Sequence, residues 1–149
     1  MEGVLRAATR RFVSSGHIRN VMTGSWVPMF DEEGRELDGI RGRMGVAATT
    51  QDGVSIGIDL MEMSPGAAFP LHVHDGDHLL YVVSGRGLVH VGGVDHPVED
   101  GDTVHIPALL PHGVKTDPSS DSKLVLLAVG HPHKPLSALD RMRTVSDDD

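Results

Sequence analysis

Short apolar runs, separated by turns that contain glycine and proline, constrain the fold of this chain more than any other feature. Its 149 residues include 18 glycines and 9 prolines, scattered between runs rich in β-branched side chains. Turn signals recur about every ten residues, and no amphipathic helical stretch lies between them. This pattern is typical of a sandwich or barrel rather than of an α/β fold, so we predict an all-β protein.

The predicted strands share β-branched or apolar residues and end in turns built from Gly, Pro or Asp. They cover residues 54–63, 69–74, 78–83, 88–91, 94–98, 103–106 and 123–129. Gly92 and Gly93 are predicted to form a two-residue hairpin turn. The Asp31–Gly34 stretch predicts a further turn, between two strands of the less clear N-terminal part.

The length of the chain favours a single domain. We expect residues 1–45 to form an N-terminal arm or extra strands, and residues 46–136 to form a barrel. Residues 4–13 are expected to be a short basic helix or an arm, whose arginines lie on a solvated face. Residues 137–149 have weak helical character and end in an acidic run, so we expect a partly disordered C-terminal tail.

Composition excludes several classes of function. The net charge of −8 argues against nucleic-acid binding, which needs a basic face. The chain has no cysteine, which rules out disulfides, thiolate metal sites and cysteine nucleophiles. The sequence contains no apolar run of about twenty residues, so no membrane span is predicted. The N-terminus lacks an apolar core of signal-peptide length, so the cytoplasm is the default expectation.

Four histidines in an ordered spacing carry the strongest chemical signal. His72 and His74 are two residues apart in an extended run, so their side chains point to the same side of a strand. Imidazole is the commonest metal-ligating side chain, and such a pair can bind one ion. His78 and His112 follow, and together the four indicate a metal site with nitrogen ligands.

The pattern around these histidines resembles the two signatures of the cupin superfamily. The spacing Gly66-x5-His72-x-His74-x3-His78-x6-Gly85 is similar to the first signature, except that His78 stands where the commonest pattern has Glu. The stretch Gly101-Asp102-x4-Pro107-x4-His112 is similar to the second signature, with Thr116 where Asn is usual. The two motifs cover residues 66–116, and the chain looks like the four-histidine group of small single-domain cupins.

The resemblance implies a double-stranded β-helix, a jelly-roll barrel with one metal ion in its mouth. The implied ligands are His72, His74, His78 and His112, and the cofactor is one divalent transition-metal ion (Fe, Mn, Cu, Zn or Ni). Four neutral imidazoles would leave a charge near +2 in the pocket, which attracts an anionic ligand. An octahedral ion with four protein ligands keeps two positions open, whereas a tetrahedral ion would be closed.

Several assignments stay open on the sequence alone. His78 either ligates the metal or lies beside it, and Asp75 and Asp77 either supply an oxygen ligand or are turn residues. His90 and His105 are candidates for a general base or for support of the ligands, if they face the pocket. His131 and His133 are expected to be solvent-exposed. A last group is expected either to line an apolar pocket or simply to belong to the core: Trp26, Met29, Met61 and Phe69.

The leading functional expectation is a metal-dependent oxidoreductase, dioxygenase-like, that acts on a small organic molecule. One alternative is a redox-neutral isomerase or polyketide-type cyclase that uses the metal as a Lewis acid. Another is a non-enzymatic module that binds or senses a small ligand. We assign no catalytic acid or base and expect no organic cofactor. A homodimer is expected, in which the segment before residue 46 adds a strand to a neighbour's sheet edge.

Overall fold

Two antiparallel sheets packed face to face make up nearly all of the structure, a computed structural model that describes residues 11–146. One four-residue helix, α1 (Ser14–His17), precedes the sheets. The eleven strands, in chain order, are β1 (Val27–Phe30), β2 (Glu36–Thr49), β3 (Ser55–Met63), β4 (His72–Val73), β5 (Asp77–Ser84), β6 (Gly87–Val91), β7 (Val94–Val98), β8 (Thr103–Ile106), β9 (His112–Thr116), β10 (Leu124–His131) and β11 (Arg143–Thr144).

The six-stranded sheet has the order β1-β2-β3-β10-β5-β8, and the five-stranded sheet has the order β11-β4-β9-β6-β7. Consecutive strands often lie in different sheets, as expected when a chain winds around a jelly-roll barrel. The all-β class and the double-stranded β-helix are thereby confirmed. No helix within residues 11–146 has the length and apolar character needed to cross a membrane.

The core lies between the two sheets and is made of the inward-facing residues of the long strands. Along β10, Leu124, Leu126 and Ala128 are buried and alternate with less buried neighbours. They pack with Met63 of β3 and Val82 of β5, both fully buried. Burying a side chain of this size contributes roughly 1.5–3 kcal/mol. This core makes the barrel a rigid frame for the residues at its mouth.

Most predicted strands are confirmed, with bounds shifted by one or two residues. The Gly92-Gly93 turn joins β6 to β7, and both glycines have a positive φ, as a two-residue hairpin of this kind requires. The turn predicted at 31–34 connects β1 to β2. β2 runs through the boundary predicted between residues 45 and 46, so that strand belongs to both predicted segments.

The strand predicted over residues 69–74 is wrong in its first half, since only His72 and Val73 form β4. Pro70 has no N–H to donate, which interrupts a ladder beside β9. Phe69 still donates its backbone N–H to the Val114 carbonyl, with an N–O distance of 2.8 Å. β9 itself was not predicted as a strand, because Val114 is the one apolar side chain among its five residues.

The C-terminal segment crosses the barrel mouth in an ordered path. Leu136 and Met142 are buried, and β11 pairs with β4, with Thr144 opposite His72. Glu32, from the turn after β1, accepts hydrogen bonds from the backbone and the hydroxyl of Thr144. The disorder expected at the end of the tail falls on residues 147–149, which lie outside the described residues. The basic helix or arm expected at residues 4–13 lies almost wholly outside them too.

Candidate metal centre

The backbone pairing of β4 with β9 brings two of the predicted ligands together. His72 lies directly opposite His112 in register, so both side chains point to the same face of the five-stranded sheet. Their ring centroids are 4.3 Å apart. The motif spacing thus corresponds to a cross-strand pair, which is why residues forty positions apart in the sequence meet here.

His74 follows β4 and completes a group of three imidazoles. Its ring centroid lies 5.6 Å from that of His72 and 4.7 Å from that of His112. One ring nitrogen from each of the three residues lies within 4.8 Å of the other two. All three residues are buried at the inner end of one cavity.

Backbone carbonyls fix the orientation of all three rings. The Nδ1 atom of His72 lies 2.6 Å from the Pro70 carbonyl oxygen. The Nδ1 of His74 is 2.7 Å from the Gly76 oxygen, and the Nδ1 of His112 is 2.8 Å from the Leu110 oxygen. A carbonyl oxygen only accepts, so each Nδ1 carries the proton and donates it. Each Nε2 is therefore left with a free lone pair, the arrangement found in histidines that ligate metals.

The Nε2 atom of His74 provides the most specific test of whether a metal fits. It is buried and has no hydrogen-bond partner within the described part of the chain. A buried acceptor without a partner is costly, about 1–3 kcal/mol, so an atom of this kind needs an explanation. A metal ion bound by the three Nε2 atoms would satisfy it. The residues present thus fit a transition-metal ion.

Burial keeps these imidazoles uncharged. Desolvation is the largest cause that lowers the pKa of His72, to about 3, and of His112, to about 4. Desolvation also lowers the pKa of His74, against the opposing effect of its bond to the Gly76 carbonyl. Only the neutral imidazole binds a metal, so the site holds its ligands in the competent state at neutral pH.

His78 reaches the same cavity from the other sheet. It lies near the start of β5, paired with Gly130 and Ile106, and its side chain is half-buried. Desolvation, followed by the charge of His74, lowers its pKa to about 2. Its nitrogens do not belong to the group of three within 4.8 Å of one another. Its role as a fourth ligand therefore stays a prediction.

The two aspartates of the Asp75-Gly76-Asp77 turn face away from the histidines. Asp77 accepts a hydrogen bond from the Ala108 backbone at 2.9 Å, and its other carboxylate oxygen lies 2.9 Å from His105 Nε2. The Asp75 side chain is 75% exposed. Neither contributes an oxygen to the metal-binding group found among the described residues.

The other histidines lie outside the cavity. His90 pairs with Asp95 on the surface of the β6–β7 hairpin, with its Nδ1 2.7 Å from the carboxylate. His105 is paired with Asp77 and is half exposed. His131 is exposed as expected, but the expectation for His133 is wrong. Its side chain is only 12% exposed, because its Nε2 lies 2.8 Å from the fully buried Asp59 carboxylate.

The four residues expected in a pocket or in the core divide between three places. Met61 and Phe69 line the histidine cavity, and Met61 also belongs to the core, as does Met29. Trp26 lies between Arg41 and Arg43, with each guanidinium carbon 4.0 Å from the ring centroid. That stack fastens the segment before β1 to the surface of β2.

The cavity is small and mostly apolar, with a volume of about 40 Å³. Besides the four histidines, its lining residues are Met61, Phe69, Leu80, Ile106, Val114, Arg141 and Met142. Sequence reasoning missed Arg141 and Met142, which come from the segment that crosses the mouth. Arg141 lies in a short segment of mixed composition that also contains Arg143 and has no motif of its own, so only the pairing of β11 with β4 reveals its position.

Comparison with known proteins agrees with this architecture. Residues 59–130 match the family model described as Cupin domain. An oxalate-binding protein of Thermotoga maritima is 26% identical over 70 residues, which are 46% of this chain and 58% of that protein. The chain thus spans less than two thirds of the length of this curated relative.

Solved structures are similar in fold at low sequence identity. A cupin-2 domain protein of Rhodospirillum rubrum has a TM-score of 0.64 and 19% identity, covering 95% of this chain and 86% of the other. The polyketide cyclase RemF of Streptomyces resistomycificus has a TM-score of 0.64 and 21% identity, covering 87% of both chains. At this level of identity the likeness shows the fold alone.

Proposed function

This chain is a small cupin protein, and on that premise we propose that it binds one divalent transition-metal ion and acts as a metal-dependent oxidoreductase on a small organic molecule. The observation that carries the proposal is the set of three Nε2 atoms left free by Nδ1 bonds to carbonyls. We propose His78 as the fourth ligand, because it lines the same cavity. The reaction type we propose is dioxygenase-like.

The chain supplies neutral nitrogen ligands and surrounds them with mainly apolar side chains. Imidazole adds no charge, so a bound divalent ion would keep a charge near +2 and would supply Lewis-acid or oxygen-activating chemistry. The protein's own part is to orient the imidazoles through Pro70, Gly76 and Leu110, and to exclude water with apolar walls. The nitrogen donor set favours Fe, Mn, Cu, Zn or Ni over calcium or magnesium.

Elemental analysis of the protein, purified without added metal, is the experiment that tests this proposal most directly. We expect close to one transition-metal ion per chain, with iron, manganese or copper supporting an oxidoreductase. Oxygen consumption by that protein, measured against a panel of small organic acids and phenols, then tests the reaction class. Loss of the metal in His112→Ala, and its retention in the exposed-histidine control His96→Ala, would assign the metal to this site.

A redox-neutral isomerase or cyclase is the second candidate, supported by the similarity in fold to a polyketide cyclase. Zinc or nickel in the purified protein, without oxygen uptake, would favour it. A ligand-binding module without turnover is the third, supported by the distant relative that is an oxalate-binding protein. Absence of metal from the protein as purified, together with binding of a small ligand, would favour that module.

We also propose that the protein is a cytoplasmic homodimer. On β5, Leu79, Tyr81 and Val83 project from the outer face of the six-stranded sheet and are 55%, 44% and 41% exposed. They share that face because alternate residues of a strand point the same way. Large contiguous patches of exposed apolar side chains mark interaction surfaces, and a second copy of the chain is the partner that we propose for this face.

A further inference from the structure

Arg141 is a buried cation on the wall of the histidine cavity. Its side chain is only 11% exposed, and it lines the cavity together with the four histidines. It is delivered by the segment between Leu136 and β11, which is fixed by the buried side chains of Leu136 and Met142. The guanidinium is thus a built part of the cavity rather than a surface group.

The charge of Arg141 is only partly compensated by its neighbours. Its Nη1 lies 3.9 Å from Asp59 Oδ2, an oxygen that is closer, at 2.8 Å, to His133 Nε2. Its one hydrogen bond to a described residue runs from Nη1 to the Lys134 carbonyl at 3.4 Å. A guanidinium has five N–H donors, and a buried charge is costly unless it is paired and hydrogen-bonded. Most of its donor capacity is therefore available to a ligand in the cavity.

The positive charge beside the histidines also favours an anion in the cavity. Arg141 lines the cavity together with all four of these histidines. A divalent ion held by neutral imidazoles would add a second positive centre, and the two would repel each other across a low-dielectric space. A ligand that carries negative charge and contacts both centres would remove this repulsion.

We infer that the cavity binds the carboxylate of a small organic acid, with Arg141 as the residue that recognises it; this inference rests on the proposed metal centre. The planar fork of the guanidinium matches a carboxylate in shape and charge. The cavity volume of about 40 Å³ is small, which favours a compact acid over a large ligand. Apart from the histidines and Arg141, the cavity walls are apolar, as at Met61, Phe69 and Ile106, so they offer few partners for the many hydroxyl groups of a sugar or a nucleotide.

The test compares pyruvate with pyruvamide, which has nearly the same shape but no charge. Binding of each is measured by titration calorimetry, both to zinc-loaded protein and to protein stripped of metal. The variants are Arg141→Met, Arg141→Lys and the control Arg143→Met, which removes the same charge from an exposed position two residues away. Metal content is measured for every sample. Inorganic phosphate is titrated in parallel, to separate carboxylate recognition from general anion binding.

We expect the parent protein to prefer pyruvate over both pyruvamide and phosphate. Arg141→Met should weaken pyruvate binding about tenfold or more in zinc-loaded and metal-free protein alike, and should leave pyruvamide binding unchanged. Arg141→Lys, which keeps the charge without the fork, should show an intermediate loss, and Arg143→Met should behave like the parent. A purely structural role for Arg141 would not discriminate between a carboxylate and its amide.

The inference is overturned if Arg141→Met binds pyruvate as the parent does, if the parent binds pyruvamide or phosphate equally well, or if the parent binds no pyruvate with or without metal. Should Arg141→Met fail to fold, Arg141→Lys and the preference of the parent for pyruvate over pyruvamide decide the question. Failure of the proposed function would look different. The parent would then bind no metal, while the effect of Arg141 would still be measured in the metal-free protein.

Discussion

The imidazole of His78 stacks on that of His74, with ring centroids 3.8 Å apart and planes 16° from parallel. Stacked rings present their nitrogens side by side rather than at a common point, and His78 stands outside the group formed by His72, His74 and His112. The contact nevertheless brings a fourth imidazole to the edge of the candidate metal site. The contribution of His78 is therefore expected to be smaller than that of the other three.

A pair of substitutions at His78 measures that contribution. We expect His78→Ala to retain metal with an affinity reduced about 10–100-fold, the range seen when groups that support a metal site are removed. His78→Glu should retain metal but change the order of preference among zinc, manganese and iron, because a carboxylate is a harder and charged ligand. Competition with a chromogenic chelator gives the affinities. Parent-like affinity in His78→Ala would show that His78 is not a ligand.

Loss of His112 should be far more severe than loss of His78. His112 supplies one of the three buried nitrogens that lie close together, and its removal breaks the pair that it forms with His72 across β4 and β9. We expect His112→Ala to bind less than a tenth of an equivalent of metal by elemental analysis after gel filtration. His96→Ala, an exposed histidine of β7, is the matched control and should bind as the parent does. Stoichiometric metal in His112→Ala would contradict the assignment.

The stability of the metal-free protein should fall as the solution is acidified. In the folded chain the pKa of His72 is lowered to about 3 and that of His112 to about 4. The pKa of a histidine in the unfolded chain is about 6.5. Between these values the unfolded state binds more protons than the folded state. Stability is therefore fully present above about pH 6.5 and is lost as the pH falls towards the folded values.

The expected slope is about 1.4 kcal/mol per pH unit for each such histidine. His78, whose pKa is lowered to about 2, adds to His72 and His112, so the three together give about 4 kcal/mol per unit between pH 6 and pH 4.5. Urea unfolding of the metal-free protein at several pH values measures it. His112→Ala should reduce the slope by about one histidine's share. A free energy of unfolding that is constant across this range would contradict buried neutral imidazoles.

Gly85 is expected to tolerate no side chain. Its φ of 97° lies in the left-handed region, and a Cβ there would overlap the carbonyl of Lys123 at the start of β10. Gly101 has a similar φ of 91° but open space around it. We expect Gly101→Ala to cost about 1–2 kcal/mol of unfolding free energy and Gly85→Ala distinctly more, measured by urea unfolding. Equal losses at the two sites would show that the overlap at Gly85 is relieved at little cost.

The proposed homodimer is tested at the apolar outer face of the six-stranded sheet. Leu79→Asp and Tyr81→Asp place a charge at exposed positions of β5, where burial against a second copy would be unfavourable. We expect either variant to shift the protein from dimer to monomer in sedimentation velocity while keeping its circular dichroism spectrum. Val94→Asp, at a similarly exposed position of the β6–β7 hairpin, should leave the dimer intact. A parent that sediments as a monomer would overturn the dimer.

Local patterns were sufficient to predict the barrel but only part of its cavity. Alternation and turn residues predicted β3, β5, β6, β7, β8 and β10, because each of these strands carries its own pattern. The histidine spacing pointed to His72, His74 and His112 because short motifs place them at strand ends. Arg141 could not be found in this way. Its position depends on the pairing of β11 with β4, which are seventy residues apart. Neither segment carries a local pattern that predicts this pairing.

His133 illustrates the same limit on the polar side of the fold. Its sequence surroundings, between Pro132 and Lys134, suggest an exposed loop. Its imidazole is nevertheless held by Asp59 and its backbone N–H by Ser55, both in β3. Such a partner choice is set by the three-dimensional path of the chain after β10 rather than by the residues on either side.

The docking of β11 against β4 also sets an order of events during synthesis. A chain is made from its N-terminus, so His72, His74 and His112 exist before the segment that carries Arg141 and Met142. Until that segment is complete and paired with β4, one wall of the cavity is missing. The three histidines are therefore synthesised before the segment that closes their cavity, and the pairing of β11 with β4 completes it.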